Sequence, residues 1–283
     1  MSIAFDSYQY NRYPVSMIRF FQIMVLLCTA AMAASCSRPA KEKPIWEQVK
    51  LSDVATPAEA KSGGRLLKTI NIDINIFEMP AKDANALNVI WQMMYTKPLQ
   101  FNDYDAFKAN SFSIGFGQIQ MWNTIANVLL NAGGKHMETV SLLLPDGDTN
   151  DFTVARLRKE QTVFYVSGDG PMEGVSLGPG KLALRIKVEK IPGSRGVCRL
   201  TAQPVFPSPI TSYVPQLQAS GKSAEFLFPS VGFELKMSPG DFVLLGPEKY
   251  IDNQITLGSL FFSKPKPKPT VSMFLIICTR IID

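Results

Sequence analysis

The side chains best suited to chemistry are few and far apart in this chain. There are four cysteines, Cys28, Cys36, Cys198 and Cys278, and one histidine, His136. A Ser-His-Asp site would have to use His136, which follows the Gly133-Gly134 turn and stands in no recognisable nucleophile motif. G-x-S-x-G, H-E-x-x-H and C-x-x-C signatures are all missing from the sequence. One histidine and two lone downstream cysteines do not supply the four ligands of a structural zinc site. Gly168, Gly170 and Gly174 have the wrong spacing for a dinucleotide loop, and Gly180-Lys181 lacks the partners of a phosphate loop. Asp146, Asp148 and Asn150 repeat the spacing of the first three oxygen ligands of a calcium loop. However, Asp151 stands where that loop needs glycine, and Leu157 where it needs a bidentate glutamate. A solvated hairpin turn accounts for the segment equally well. For an exported hydrolase the nearest acids are Asp73, Glu78 and Asp103, and solvation of strand faces explains them adequately.

With so little catalytic chemistry, the thiols and their compartment come first. Arg19 precedes an apolar run from Phe20 to Leu27, and small residues lead on to Cys36. That order is a secretory leader, too short to be read first as a membrane span. Ala33-Ala34-Ser35-Cys36 resembles a bacterial lipobox, which implies acylation of Cys36 and a membrane anchor. Cleavage after Ala31-Met32-Ala33 is the competing reading, and Met17 is an alternative start. Outside the cytoplasm Cys198 and Cys278 can pair as a disulfide, the alternative being two buried, reduced thiols.

Removing the leader leaves about 250 residues, enough for one large domain or two small ones. An apolar content of 46% suits a globular protein with a real core. The net charge of +5 is spread out, without the interleaved basic and aromatic cluster that nucleic acid requires. No cofactor is expected.

The elements that must position these residues are mostly strands. Residues 37–67 are charged and rich in Pro, Ala and Gly, a tether between anchor and domain. From Thr69 to Glu78 isoleucine alternates with polar residues, the pattern of a half-buried strand. Helical spacing follows at Lys82 to Met94 and again at Ile119 to Asn131. From Met137 onward the pattern is β, with strands expected at 139–144, 153–157, 161–167, 182–188, 197–205, 223–228, 232–237, 242–245 and 271–282. The run Lys264-Pro265-Lys266-Pro267-Lys268-Pro269 favours an extended, stiff loop joining two strands; its lysines are a minor candidate for contact with anionic polymer. The fold class is therefore α+β, mainly antiparallel sheet, with two short helices in the N-terminal half. The helix-containing part covers 68–136 and the β-rich part 137–283.

Pro239-Gly240-Asp241-Phe242-Val243-Leu244-Leu245-Gly246 looks like the D-G-x-x-v-v-L-G-G strand of secretins, the multimeric outer-membrane channels of bacterial secretion and pilus systems. Leu257-Gly258-Ser259-Leu260-Phe261 is similar to their P-x-L-G-x-L-F turn, and Leu275 to Ile282 to their closing strand. Leu182 to Phe206 resembles a secretin strand pair, and Ile72 to Glu78 the opening strand. Pro247 stands where the second glycine belongs and Ile255 where the turn has proline; no repeated ring-building domains precede the β region. The resemblance spans about 68–283 and implies a β-rich, ring-forming envelope protein.

The expected function is that of a non-enzymatic exported lipoprotein, a secretin-like structural or assembly component facing the periplasm at the outer membrane. Its partners would be the membrane through Cys36, copies of itself through β edges, and other envelope proteins. A monomeric periplasmic binding or scaffolding lipoprotein is the alternative, and an exported hydrolase the second.

Overall fold

Alternation along the first strand, β1 (Thr69–Pro80), sends Ile70, Ile72 and Ile74 into one core and Phe77 and Met79 into another. Both faces are therefore covered, and β1 is not the half-buried strand that its alternation suggests. Its place in the topology is the reason. The computed structural model describes residues 68–168, 170–207, 225–265 and 267–282, and within them β1 lies in the interior of a sheet. The segments expected to be leader and tether, with Cys28 and Cys36, fall outside the described residues.

The first sheet runs β3-β12-β14-β1-β4, built from β3 (Phe112–Gln118), β12 (Asp241–Pro247), β14 (Thr270–Ile281), β1 and β4 (Lys135–Pro145), with β13 (Ser263–Lys264) appended to β14. The second runs β2-β11-β9-β8-β5, from β2 (Gln100–Phe101), β11 (Phe233–Met237), β9 (Cys198–Phe206), β8 (Gly180–Lys190) and β5 (Thr149–Leu157), with β10 (Phe226–Leu227) beside β9. A separate hairpin joins β6 (Gln161–Val166) to β7 (Met172–Leu177). All paired strands are antiparallel. The α+β, mainly antiparallel class is as the sequence patterns indicate.

The sheets stack, and helices cover the far side of the first. Ile276 and Val243 of the first sheet meet Leu184, Ile186, Leu200 and Leu235 of the second in one core. On the other side Phe242, Leu244, Met273 and Leu275 pack under α1 (Ala86–Met93) and α3 (Ile119–Asn131), through Leu87, Ile90, Trp122 and Ile125. Each such aliphatic side chain contributes about 1.5–3 kcal/mol by leaving water, so the continuous apolar run of β14 anchors both layers.

Two helices were not anticipated, α2 (Tyr104–Ala109) and α4 (Leu257–Phe262), so the described residues hold four rather than two. The Leu257–Phe261 motif is thus a helical turn, because Thr256 and Ser259 close a capping box at its start. The Asp146-Gly147-Asp148 segment is likewise no hairpin turn. It carries the chain from β4 in one sheet to β5 in the other.

Candidate functional site

The secretin-like segments sit at the centre of the fold and touch one another. The Asp241–Pro247 strand pairs with β14, the closing-strand segment, and β14 pairs with β1, the opening segment. The upstream pair forms the hairpin of β8 and β9.

Each motif residue has an identifiable task. Ser238 to Gly240 is the bridge from β11 to β12, hence from one sheet to the other. The Asp241 carboxylate accepts from Ser238 N at 2.8 Å, and Asp241 N donates to Ser238 O at 2.9 Å. Gly240 has φ +91°, a conformation that glycine adopts without steric cost, and its N–H donates to Cys278 O at 2.9 Å. A Cβ on Gly246 would meet the side chains of Met273 and Trp91 at 3.1 and 3.2 Å. Leu257, Leu260 and Phe261 are buried, and Phe261 packs against Phe112 with ring centres 5.2 Å apart. These residues form a structural junction rather than a surface for ligand.

Asn110 completes that junction. It is buried, its amide nitrogen donates to Ala106 O at 2.7 Å and Val166 O at 2.9 Å, and its amide oxygen accepts from Val166 N at 2.9 Å. One side chain thereby imitates a strand partner for the end of β6 and ties the β6–β7 hairpin to α2. Replacing Asn110 with Ala leaves Val166 N–H without this partner, and chemical denaturation should show a loss of about 2 kcal/mol.

The other candidates do not converge. Glu78 pairs with Lys264, Asp103 caps α2 by accepting from Ala106 N at 2.8 Å, and Asp73 faces the opposite side of β1 from Glu78. No group of three metal-ligating side chains occurs among the described residues. Asp146 accepts from Lys190 N at 2.7 Å, Gly147 N donates to Val188 O at 2.9 Å, and Asp148 O accepts from Val188 N at 3.3 Å. That loop is bound to β8, while Asp148 and Asn150 remain exposed. Lys264 and Thr270 pair across the Lys-Pro loop, which joins β13 to β14.

Several strand edges stay open, two of them on one flank. β4 bonds only β1 and β5 bonds only β8, so each presents one unpaired edge among the described residues. The three-residue crossover at 146–148 puts both edges on the same flank of the two stacked sheets. From His136 to Leu144 the strand carries one formal charge, Glu138, and its register with β1 is broken once, at Met137. Leu143 (64% exposed) and Met137 (54%) project from it. β5 is held to β8 by Arg185, which grips Asp151 at 2.7 and 2.8 Å and Glu225 at 2.8 Å. Its hydrogen bonds to these carboxylates push the guanidinium pKa still higher. β7 offers a further edge, since it pairs only with β6.

His136 lies in the β4 edge strand. Its Nε2 is 3.0 Å from Thr139 Oγ1, which itself donates to Asn75 Oδ1 at 2.7 Å, so Nε2 must donate. The ring packs edge-on to Phe77, 5.3 Å between centres. Partial burial lowers the His136 pKa below its usual value, against a smaller opposing effect of the Glu138 backbone. Between the folded pKa and the ordinary value of about 6.5, the unfolded chain binds more protons than the folded one. The contribution of His136 is thus fully present above pH ~6.5 and is lost as pH falls toward the folded pKa. Denaturation from pH 7 to 5 should show wild type losing more stability than His136→Gln.

A surface groove of about 800 Å³ runs between the Pro80–Lys82 segment, Lys135 and Met137 of β4, Tyr250, and the Pro267–Pro269 end of the Lys-Pro loop. Its walls are mainly apolar, with Lys82, Lys135 and Lys268 at the margin.

No protein-family model and no curated protein matches the chain. Among solved structures, the secretin domain β-barrel of InvG from the Salmonella SPI-1 injectisome NC-base aligns with 77% of this chain at 11% identity and a TM-score of 0.23. The chain spans 64% of that structure's length. A likeness this distant carries no functional argument.

Proposed function

We propose that the protein is a non-enzymatic component of the bacterial cell envelope, a secretin-like structural or assembly lipoprotein that joins to copies of itself through strand edges. The observation that carries this reading is the open flank, where β4 and β5 each end a sheet with one unpaired edge and β4 carries little charge. Adding strands from a neighbour satisfies those backbone groups, and inside lipid only a closed barrel satisfies all of them. A ring requires the flank of one subunit to meet a different edge of the next, and β7 is such an edge. The secretin-like motifs support the reading indirectly: they build the central strands that hold these edges in place.

Anchoring would come from acylation of Cys36 at the end of the leader. Expression of the full gene in a bacterium fed a labelled fatty acid tests that step. Label and membrane association are expected in wild type and lost in Cys36→Ala. An unlabelled wild type would refute the lipoprotein part.

The groove favours a second reading, in which the protein is a monomeric envelope lipoprotein binding an apolar ligand there. Monomeric behaviour of the extracted protein separates it from the first.

A further inference from the structure

We infer that Cys198 and Cys278 form an inter-sheet disulfide when the chain folds in an oxidising compartment. Sequence alone leaves the pairing open, because the residues are about 80 positions apart and belong to different strands. The topology closes that distance. Cys198 opens β9, opposite Met237 at the end of β11. Three residues later, Gly240 has crossed to the other sheet and donates its N–H to Cys278 O at 2.9 Å. A tight turn, locked by Asp241 on Ser238, therefore brackets the two cysteines from both sides.

A second tie lies alongside. Lys190 is the β8 partner of Cys198, and its ammonium donates to Ile282 O at 2.6 Å, four residues beyond Cys278. Both thiols are fully buried in the same core, one contributed by each stacked sheet. Both are free thiols in this structure. Mutual interaction lowers the pKa of Cys198 and, with burial, raises that of Cys278. No other cysteine stands in the described residues, so the pairing is unambiguous there.

The chemistry is a thiol–disulfide exchange with an external disulfide as oxidant, glutathione disulfide or an envelope oxidoreductase. Either cysteine can attack first in the open chain; taking Cys198, its thiolate attacks one sulfur of the oxidant and expels the other as a thiolate. Cys278 then loses its proton and attacks the mixed disulfide at Cys198 Sγ. The S–S bond forms, two electrons pass to the oxidant, and the oxidant leaves as two thiols. Because both side chains are buried in the folded protein, exchange takes place before the sheets close. The bond would then clasp the last strand to the second sheet across a loop of about 80 residues.

The test refolds the full chain with a mixture of oxidised and reduced glutathione, alkylates free thiols in denaturant, and maps peptides without reduction. A linked Cys198–Cys278 peptide is expected, with reductant lowering the melting temperature of the wild type by about 10 °C. The Cys198→Ala, Cys278→Ala double variant should melt at one temperature with or without reductant. Refolded native protein in which both residues are alkylated would overturn the inference. The mapping reads wild type directly, so the result stands even if the double variant fails to fold. It is also independent of whether the protein assembles.

Discussion

Gly258→Ala should unfold the protein at a markedly lower temperature than any other single methyl addition in the secretin-like motifs. A Cβ built on Gly258 would lie 2.1 Å from Asn110 O and 3.2 Å from Ser111 Cβ. The obstacle is backbone, and this backbone cannot step aside. Ser111 already has φ +64°, and Asn110 is fixed by its three hydrogen bonds to Ala106 and Val166. Relief must come from α4 sliding outward, which pulls Leu257, Phe261 and Phe262 from their places against Phe112 and Phe274. A cost of about 3 kcal/mol or more follows, near 10 °C in melting temperature for a domain of this size. Gly246→Ala, whose Cβ would meet Met273 Cγ at 3.1 Å and the Trp91 ring at 3.2 Å rather than backbone at 2.1 Å, should cost less. Equal melting temperatures for the two variants would contradict the close approach of α4 to the Asn110–Ser111 turn.

The second large effect concerns assembly rather than folding. Met137→Lys combined with Leu143→Lys places two charges on the exposed face of β4, beside its open edge. In an edge-to-edge contact each lysine would lie within about 5.5 Å of a cross-strand neighbour and lose part of its hydration. The assembled species should give way to monomer. Both side chains are largely exposed in the subunit, so its stability should move by no more than about 0.5 kcal/mol. An unchanged assembly with an unchanged melting temperature would remove β4 from the contact.

Strands with one polar face were the most legible parts of the sequence. The alternation in β8 and β9 located both strands, and Gly133-Gly134 marked the end of α3. β3 escaped notice because Gly115 and Gly117 dilute its strand character. They are there because Met94 and the Phe242 ring occupy the space where a Cβ would go. The signals for α2 and α4 were present but short: Asp103 at one start, and the Thr256–Ser259 pair at the other. β1 shows a limit of periodicity, since alternation of Ile with Asn and Asp cannot reveal that helices cover half of the polar face.

The site divides the same way. Motif residues such as Gly240 and Leu257 could be read from the sequence, but their task as a junction needed the packing. Asn110 gave no sequence signal, because its partner Val166 is a backbone group 56 residues away. The open edges of β4 and β5 depend on strand order, which no local pattern encodes. The nearness of Cys198 to Cys278 has the same origin, a crossover turn between two sheets.

The central claim is self-association through those edges, and the size of the native particle tests it most directly. The full chain would be expressed in a bacterium, extracted from membranes in mild detergent, and sized with and without heating. The account predicts a species many times the mass of one chain that collapses in the Met137→Lys, Leu143→Lys variant. A wild type that remains monomeric across the accessible concentration range would contradict it.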